Sequence, residues 1–563
     1  MTSRRDPTFS LALAALFALL FVLLYGGANL LAALVPWRIR PALPFEAAVP
    51  FVPAWSIVYL SLPLLLLLCG LRLDRRGAWT LFAVLAAELA AAAPFFVLLP
   101  VQTAWPPREA GGFWQPFFLL ADRVSLSRNH LPSLHTAFAL TAARFAWRQR
   151  FPARALYVLW AAAVVLSTLL IHEHHLADLA AGGLLALAAC RFVAPIAARD
   201  SVFRRADTAF LLLHEQAAFA RRHRRYALIS LILALYRIRR PKRGGLMVAG
   251  YCFLQAFDDL MDGDRTLPPK ACGNGVSASP VAEADRLISE WQRGVFDTHD
   301  HYSRLAACFR GRLNAVLPPD TAREAVFQTA SLLHTMRRDR LRADAAEIWP
   351  AAALAAHHRA TFADSLDLLF AAAGAATRSR DVPELADALA WCSVMRDLRQ
   401  DLAAGIVNIP AEILSQAERP FPPKPCENDV SENPSRVCGA ATHADGGWQN
   451  SRPAVSEQHK PRASRSDTPY AAVQTASDRT NPTPFRPDFA ALSADPAVRR
   501  WIRGECHRAR ALLDVLEPRA AALPDPAARR IACLFARSVR SFAEKRILRL
   551  YPWLDKETYS ETK

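Results

Sequence analysis

The chain lacks any organised cysteine chemistry. Its ten cysteines are scattered singly over 563 residues, with no CxxC and no paired ligand spacing, so neither a structural zinc site nor a disulfide framework is indicated. Strand-like alternation is scarce as well. From about Phe203 onward, Ala and Leu recur at helical spacing with charged faces, which argues for a mostly α-helical domain. Acidic residues are too few to balance the basic ones, with Lys+Arg 68 against Asp+Glu 51 and a formal charge of +17. Such an excess suggests nucleic acid, yet 52% of the residues are hydrophobic and many arginines flank apolar runs. That pattern favours a membrane protein with no nucleic-acid partner. No internal repeat is present.

What the chain does have is length and long apolar segments. A chain of 563 residues exceeds what one hydrophobic core usually serves, so two or three domains are expected. Residues 9–35 are apolar for longer than the ~20 residues that span a bilayer. This run is too long for a signal-peptide core, and further segments follow near 51–70, 79–100, 131–147, 154–172 and 176–196. Six transmembrane helices are therefore expected. Arg4 and Arg5, then Arg72, Arg75 and Arg76, then Arg148, Arg150 and Arg154, then the arginines after 198 fall on one side of such a bundle. That side is expected to be cytoplasmic, together with the N-terminus and everything after residue 200.

The expected fold class is all-α: a six-helix transmembrane bundle over 1–200, then a helical domain over 203–415 that resumes over 487–555. Between its two parts, 416–486 is rich in Pro, Ser, Asn and charge and poor in aliphatics. It cannot bury enough surface to order itself and reads as a disordered insertion.

Two carboxylate motifs stand in the helical domain. In "DDLMDGD", Asp258 and Asp262 are four apart, so a helix stacks them on one face. A lone pair of this kind reads as a solvated face. A second pair, Asp397 and Asp401 in "SVMRDLRQDLAAGIVNIP", changes that reading. Two such helices across a bundle could hold magnesium, which takes few protein ligands and bridges carboxylates to phosphates. The segment 203–414 with 495–550 resembles the squalene and phytoene synthase branch of the class I isoprenoid synthases. Asp258-Asp259-Leu260-Met261-Asp262-Gly263 matches its first motif, and Arg396-Asp397, Asp401, Gly405 and Pro410 match its RDxxxDxxxGxxxxP run. The resemblance implies Mg2+ held by Asp258, Asp262, Asp397 and Asp401, a prenyl diphosphate substrate, and Arg396 as a phosphate-binding residue. Leu254 and Gln255 stand where that family has an Arg pair, which leaves a second reading open: a domain that binds prenyl lipids without catalysis.

The apolar half carries "LPSLH", 131–135, and "STLLIHEHHLAD", 167–178, both at expected helix ends. Ionisable residues at membrane depth are rare and mark sites. His174 and Asp178 are four apart, so the carboxylate can hold one ring nitrogen while the other attacks. His135 would supply an acid for a leaving oxygen, and Ser133 with backbone N–H groups would bind phosphoryl oxygens. This half resembles the type 2 phosphatidic acid phosphatase superfamily, in the branch containing inositol phosphorylceramide synthases. Pro132-Ser133-Leu134-His135 fits its PSxH motif, and Ser167, His174 and Asp178 fit its S-x6-H-x3-D motif. The resemblance implies a metal-free phosphohistidine mechanism with His174, His135 and Asp178 catalytic. Ser133, Ser167 and Arg108, from "AWPPRE", would bind phosphate. His172, Glu173 and His175 receive no role. A fusion of the two halves implies a bifunctional membrane enzyme of isoprenoid or lipid metabolism, in an inner membrane if bacterial. Its phosphatase-like site would face the exterior.

Overall fold

A computed structural model of the chain describes residues 5–265, 279–417 and 489–554, positions 109, 127 and 223 excepted. The expected insertion at 416–486 lies almost wholly outside the described residues. Among the described residues the chain is all-helical, and two isolated bridges, Arg5 with Asp74 and Ile39 with Val101, stand in place of any sheet. It divides into two compact units, Met1–Leu211 and Leu212–Lys563.

In the first unit, α1 (Pro7–Ala32), α2 (Pro53–Arg72), α3 (Arg75–Leu98) and α7 (Leu176–Ala197) are each long and apolar enough to cross a membrane. Between them come α4 (Gln115–Ser125), α5 (Leu134–Arg148) and α6 (Arg154–Leu170). The sequence expectation of six spans included α5 and α6, which fall short of the same length criterion. The physical reason for α5 is its place in the bundle. It packs against α2, α3, α6 and α7, with ten of its residues buried. A helix shielded by its neighbours needs no lipid-facing surface, and its sequence accordingly carries Thr136, Thr141 and Arg144. Asp74 caps α3 by accepting from the Gly77 N–H at 2.7 Å.

The second unit packs α8 (Asp200–Arg222), within which the boundary falls, α9 (Arg224–Arg239), α10 (Pro241–Met261), α11 (Pro280–Arg293), α12 (His301–Val316), α13 (Pro319–Asp344), α14 (Ala351–Ala373), α15 (Pro383–Ala404), α16 (Pro496–Ala522) and α17 (Pro526–Ser541). One buried cluster joins α14–α17 through Phe370, Leu385, Leu398, Leu402, Ile502, Leu513 and Val539. α10 and α15 carry the two acidic motifs, and both end through a glycine in the left-handed region, Gly263 at φ +79° and Gly405 at φ +89°. Only glycine adopts that conformation without cost, so α10 stops with Asp262 as its C-cap and α15 stops one turn past Asp401.

Candidate functional site

The first unit builds a site at the junction of α5 and α7. Ser133 caps α5, its hydroxyl accepting from the Thr136 N–H at 3.3 Å. Its own N–H donates to the Asp178 carbonyl at 3.0 Å, which ties the PSxH segment to the helix that carries the HxxxD pair. The approach is so close that a Cβ on Gly182 would collide with the Ser133 carbonyl oxygen. Asp178 in turn accepts from the His175 N–H at 2.9 Å, capping α7. His174 Nδ1 stands 3.5 Å from Asp178 Oδ2, with both residues buried. The rings of His135 and His174 lie 6.4 Å apart, and Tyr59 stacks on His135 at 3.9 Å between centroids.

His135 and His174 both line an apolar cavity of about 450 Å³, walled by Phe17, Phe21, Leu66, Leu85 and Phe138. Its wall follows one face of α1 from Ser10 to Tyr25, about 22 Å of helix. Of the four residues of the HEHH run, His174 is the one that reaches this cavity. The other three are held in the surrounding wall. His172, left-handed at φ +58°, bonds the Val49 carbonyl at 3.0 Å and stacks on Trp105. His175 Nδ1 meets Glu46 Oε2 at 2.6 Å, and its Nε2 accepts from the Ala104 N–H at 3.1 Å. That tautomer places the proton on Nδ1, donated to Glu46. Glu173 accepts from the Ser125 hydroxyl and from Arg108, both at 2.5 Å.

Arg108 therefore sits beside the histidines but is already engaged. It also donates to the Ile171 and His172 carbonyls at 3.3 Å and to Asp122 at 2.6 Å. The Ser167 hydroxyl donates back to the Val164 carbonyl at 2.6 Å, inside its own helix. Sequence reasoning missed His130, buried with its ring 5.4 Å from that of His174, and Glu46 and Trp105. None of these belongs to a spaced motif, so only the folded loops reveal them.

The second unit brings its acidic turns together. Asp262 feels the charges of Asp339 and Asp397, and Asp401 feels those of Asp397, Asp262 and Asp339. Burial pushes the Asp258 carboxyl well above the usual carboxylate range, reinforced by Asp262, Asp259 and Asp339. Asp262 opens to solvent at the turn, yet desolvation by the atoms crowding it, together with Asp264, Asp259, Asp339 and Asp397, pushes it up to about 7. Asp401 is likewise pushed up to about 7 by burial and by Asp397, although Asn408 donates to it at 2.9 Å. The pairs stand on the last turns of α10 and α15, where unsatisfied carbonyls add further negative potential.

Cations answer only part of this charge. Asp397 is paired by Arg396, with Arg225 at 3.8 Å. Asp259, neighbour of Asp258 in the motif, turns away to Arg222 and Arg265. Asp339, on α13, carried no sequence signal. Burial alone would raise its carboxyl, but His357 at 2.9 Å and buried Arg342 at 3.7 Å hold it below the usual range. Among the described residues, no three His, Cys, Asp or Glu side chains stand close enough to hold a metal ion as they are. The donor set still suits magnesium: all oxygen, mutually repelling, and grouped for an ion that keeps most of its waters and takes only one or two carboxylates. No family model matches the chain, and neither a curated protein nor a solved structure was found to be similar to it.

Proposed function

We propose that the chain is a bifunctional membrane enzyme acting on lipid or prenyl phosphates and diphosphates. Its first unit, read as a six-helix transmembrane bundle, would be similar to the type 2 phosphatidic acid phosphatases, and its second unit to the squalene and phytoene synthases. The observation that carries the reading is the meeting of His135 and His174, from separate segments, on the wall of an apolar cavity among candidate membrane spans. A phosphate ester with a hydrocarbon tail matches both features at once.

In this reading Asp178 holds Nδ1 of His174, and Nε2 attacks phosphorus. The P–O bond to the lipid breaks as His135 protonates the departing oxygen. Water or another hydroxyl then attacks the phosphohistidine and gives its proton to His135, so His174 is regenerated and phosphate is released or transferred. Ser133 and the N–H groups opening α5 supply donors for the phosphoryl oxygens.

In the second unit, Asp258, Asp262, Asp397 and Asp401 would hold Mg2+, with Arg396 and Arg225 at hand for phosphate. Bound there, the ion supplies charge neutralisation for a diphosphate leaving group. A second reading makes this unit a prenyl-lipid binding module. It is favoured by the lack of a ready-made metal cluster among the described residues and by Leu254 and Gln255 in place of an Arg pair.

The test is incubation of purified protein with farnesyl and geranylgeranyl phosphates and diphosphates, with and without magnesium, and identification of products by mass. Phosphate release from the monophosphates without magnesium, lost in His174→Ala, supports the first activity. New prenyl products or pyrophosphate only with magnesium support the second; their absence alone favours the binding module.

A further inference from the structure

The helix α9, Arg224–Arg239, turns apolar surface outward along most of its length. None of its residues is buried. It packs on α10 through the half-buried side that includes Tyr226, Ile229, Leu233 and Tyr236. The opposite side presents Leu228, Leu231, Ile232, Leu235 and Ile238, each more than half exposed. Five large aliphatics on one helical face form a contiguous patch of the kind that soluble surfaces rarely leave in water.

The ends of the helix say what covers it. Arg224 and Arg225 precede the apolar stretch, and Arg237, Arg239, Arg240, Lys242 and Arg243 follow it, all exposed. No acidic residue occurs between positions 224 and 243. A basic, acid-free segment with an aliphatic face has the composition of a helix lying in a membrane interface, its arginines reaching anionic headgroups while the aliphatics enter the acyl boundary. Spanning is excluded by length, since 16 residues make about 24 Å against a hydrocarbon core of ~30 Å. A second copy fits poorly, because pairing two such faces would bring basic clusters together with no acid between them.

We infer that α9 is a membrane-seated helix, holding the second unit on a bilayer that carries anionic lipid. The inference stands apart from the proposed chemistry, though it bears on it. Arg225 opens α9 and lies 3.8 Å from Asp397, so a seated α9 sets the acidic turn of α15 close to the lipid phase, from which a prenyl chain can be drawn.

Photolabelling tests the seat on the full chain, reconstituted in vesicles of phosphatidylglycerol and phosphatidylcholine that contain a lipid with a diazirine in its acyl chain. Trypsin releases Tyr226–Arg237 as one peptide, and mass spectrometry reads its label beside the span peptides. The expected result is label on Tyr226–Arg237 comparable with the spans, reduced in vesicles of phosphatidylcholine alone. A double substitution, Leu231→Glu with Leu235→Glu, should lose label from this peptide alone. Span labelling with none on Tyr226–Arg237 overturns the inference. So does unchanged label in the double variant, or cross-linking of this segment to another protein chain instead of lipid. Equal label in neutral vesicles overturns the role of anionic lipid.

Discussion

The histidine cluster of the first unit and the acidic turns of the second are electrostatically opposite. Around His174 most polar groups have their partners: His175 with Glu46 and Ala104, His172 with Val49, Glu173 with Ser125 and Arg108. The surround is thus largely paired, while His174 Nδ1, 3.5 Å from Asp178 Oδ2, and Asp178 Oδ1 are buried without a hydrogen-bond partner. Around Asp262 and Asp401 the opposite holds, because like charges are brought together at two helix ends and their repulsion is left partly unanswered. If the proposed chemistry holds, the first cluster would be preorganised for its substrate, whereas the second would become favourable only when a cation arrives. The difference gives the two proposed chemistries separate signatures: a paired polar surround in one, unanswered like charge in the other.

The sharpest break of this comparison is expected from the residues proposed to attack phosphorus and those proposed to hold the metal. His174→Ala should reduce phosphate release from a lipid monophosphate to background and leave magnesium-dependent turnover intact. Asp258→Ala or Asp397→Ala should do the reverse, measured by pyrophosphate release in the same preparation. One substitution that silences both activities equally would show that the two sites are not separate. Chelation by EDTA should follow the same division, stopping the second activity and sparing the first.

His135→Ala should cost about 10²–10⁴-fold in kcat, the usual worth of a positioned proton donor. The loss should be smaller for substrates with better leaving groups. Gly182→Ala should cost about 10²-fold, as expected when reacting groups are displaced by about 1 Å. Here the added methyl pushes α7 from the Ser133 carbonyl, and kcat for the monophosphate reads the effect. A small loss would mean that the wall around His174 tolerates movement.

The smallest effect is on stability. Because Asp401 is raised to about 7 in the folded chain, the folded state keeps a proton that the unfolded chain releases near 4. Its contribution to stability is therefore fully present below pH 4 and lost as pH rises through 7. Asp401→Asn should raise the unfolding temperature of the metal-free protein at pH 8 by about 2–4 °C, equivalent to ~1 kcal/mol, with the gain vanishing toward pH 4. Calorimetry in EDTA checks it, and a destabilised variant would show that repulsion is not what dominates there.

Local spacing made some of this legible in the sequence. Helical periodicity announces an all-helical chain, and residues four apart announce which carboxylates or imidazoles share a turn. Those signals are carried within one helix, so they are visible without knowing what the helix packs against. What packs against it was not visible. Asp339 comes from a third helix, and Glu46, Trp105 and His130 come from loops or a short helix; each is a single residue with no period. The length of α5 shows the same limit from another side. Apolar length identifies helices that face lipid, and a helix enclosed by α2, α3, α6 and α7 is free to be short and polar.

The engagement of Arg108 bears on how such a catalyst would let go. Its guanidinium is already shared between Glu173 and Asp122, so an incoming phosphate gains only the difference between one ion pair and another. Grip on the product is weakened by the same amount, since a waiting carboxylate reclaims the arginine as the anion departs. An enzyme built this way would trade tight capture for rapid clearance, and would keep turning over where inorganic phosphate accumulates.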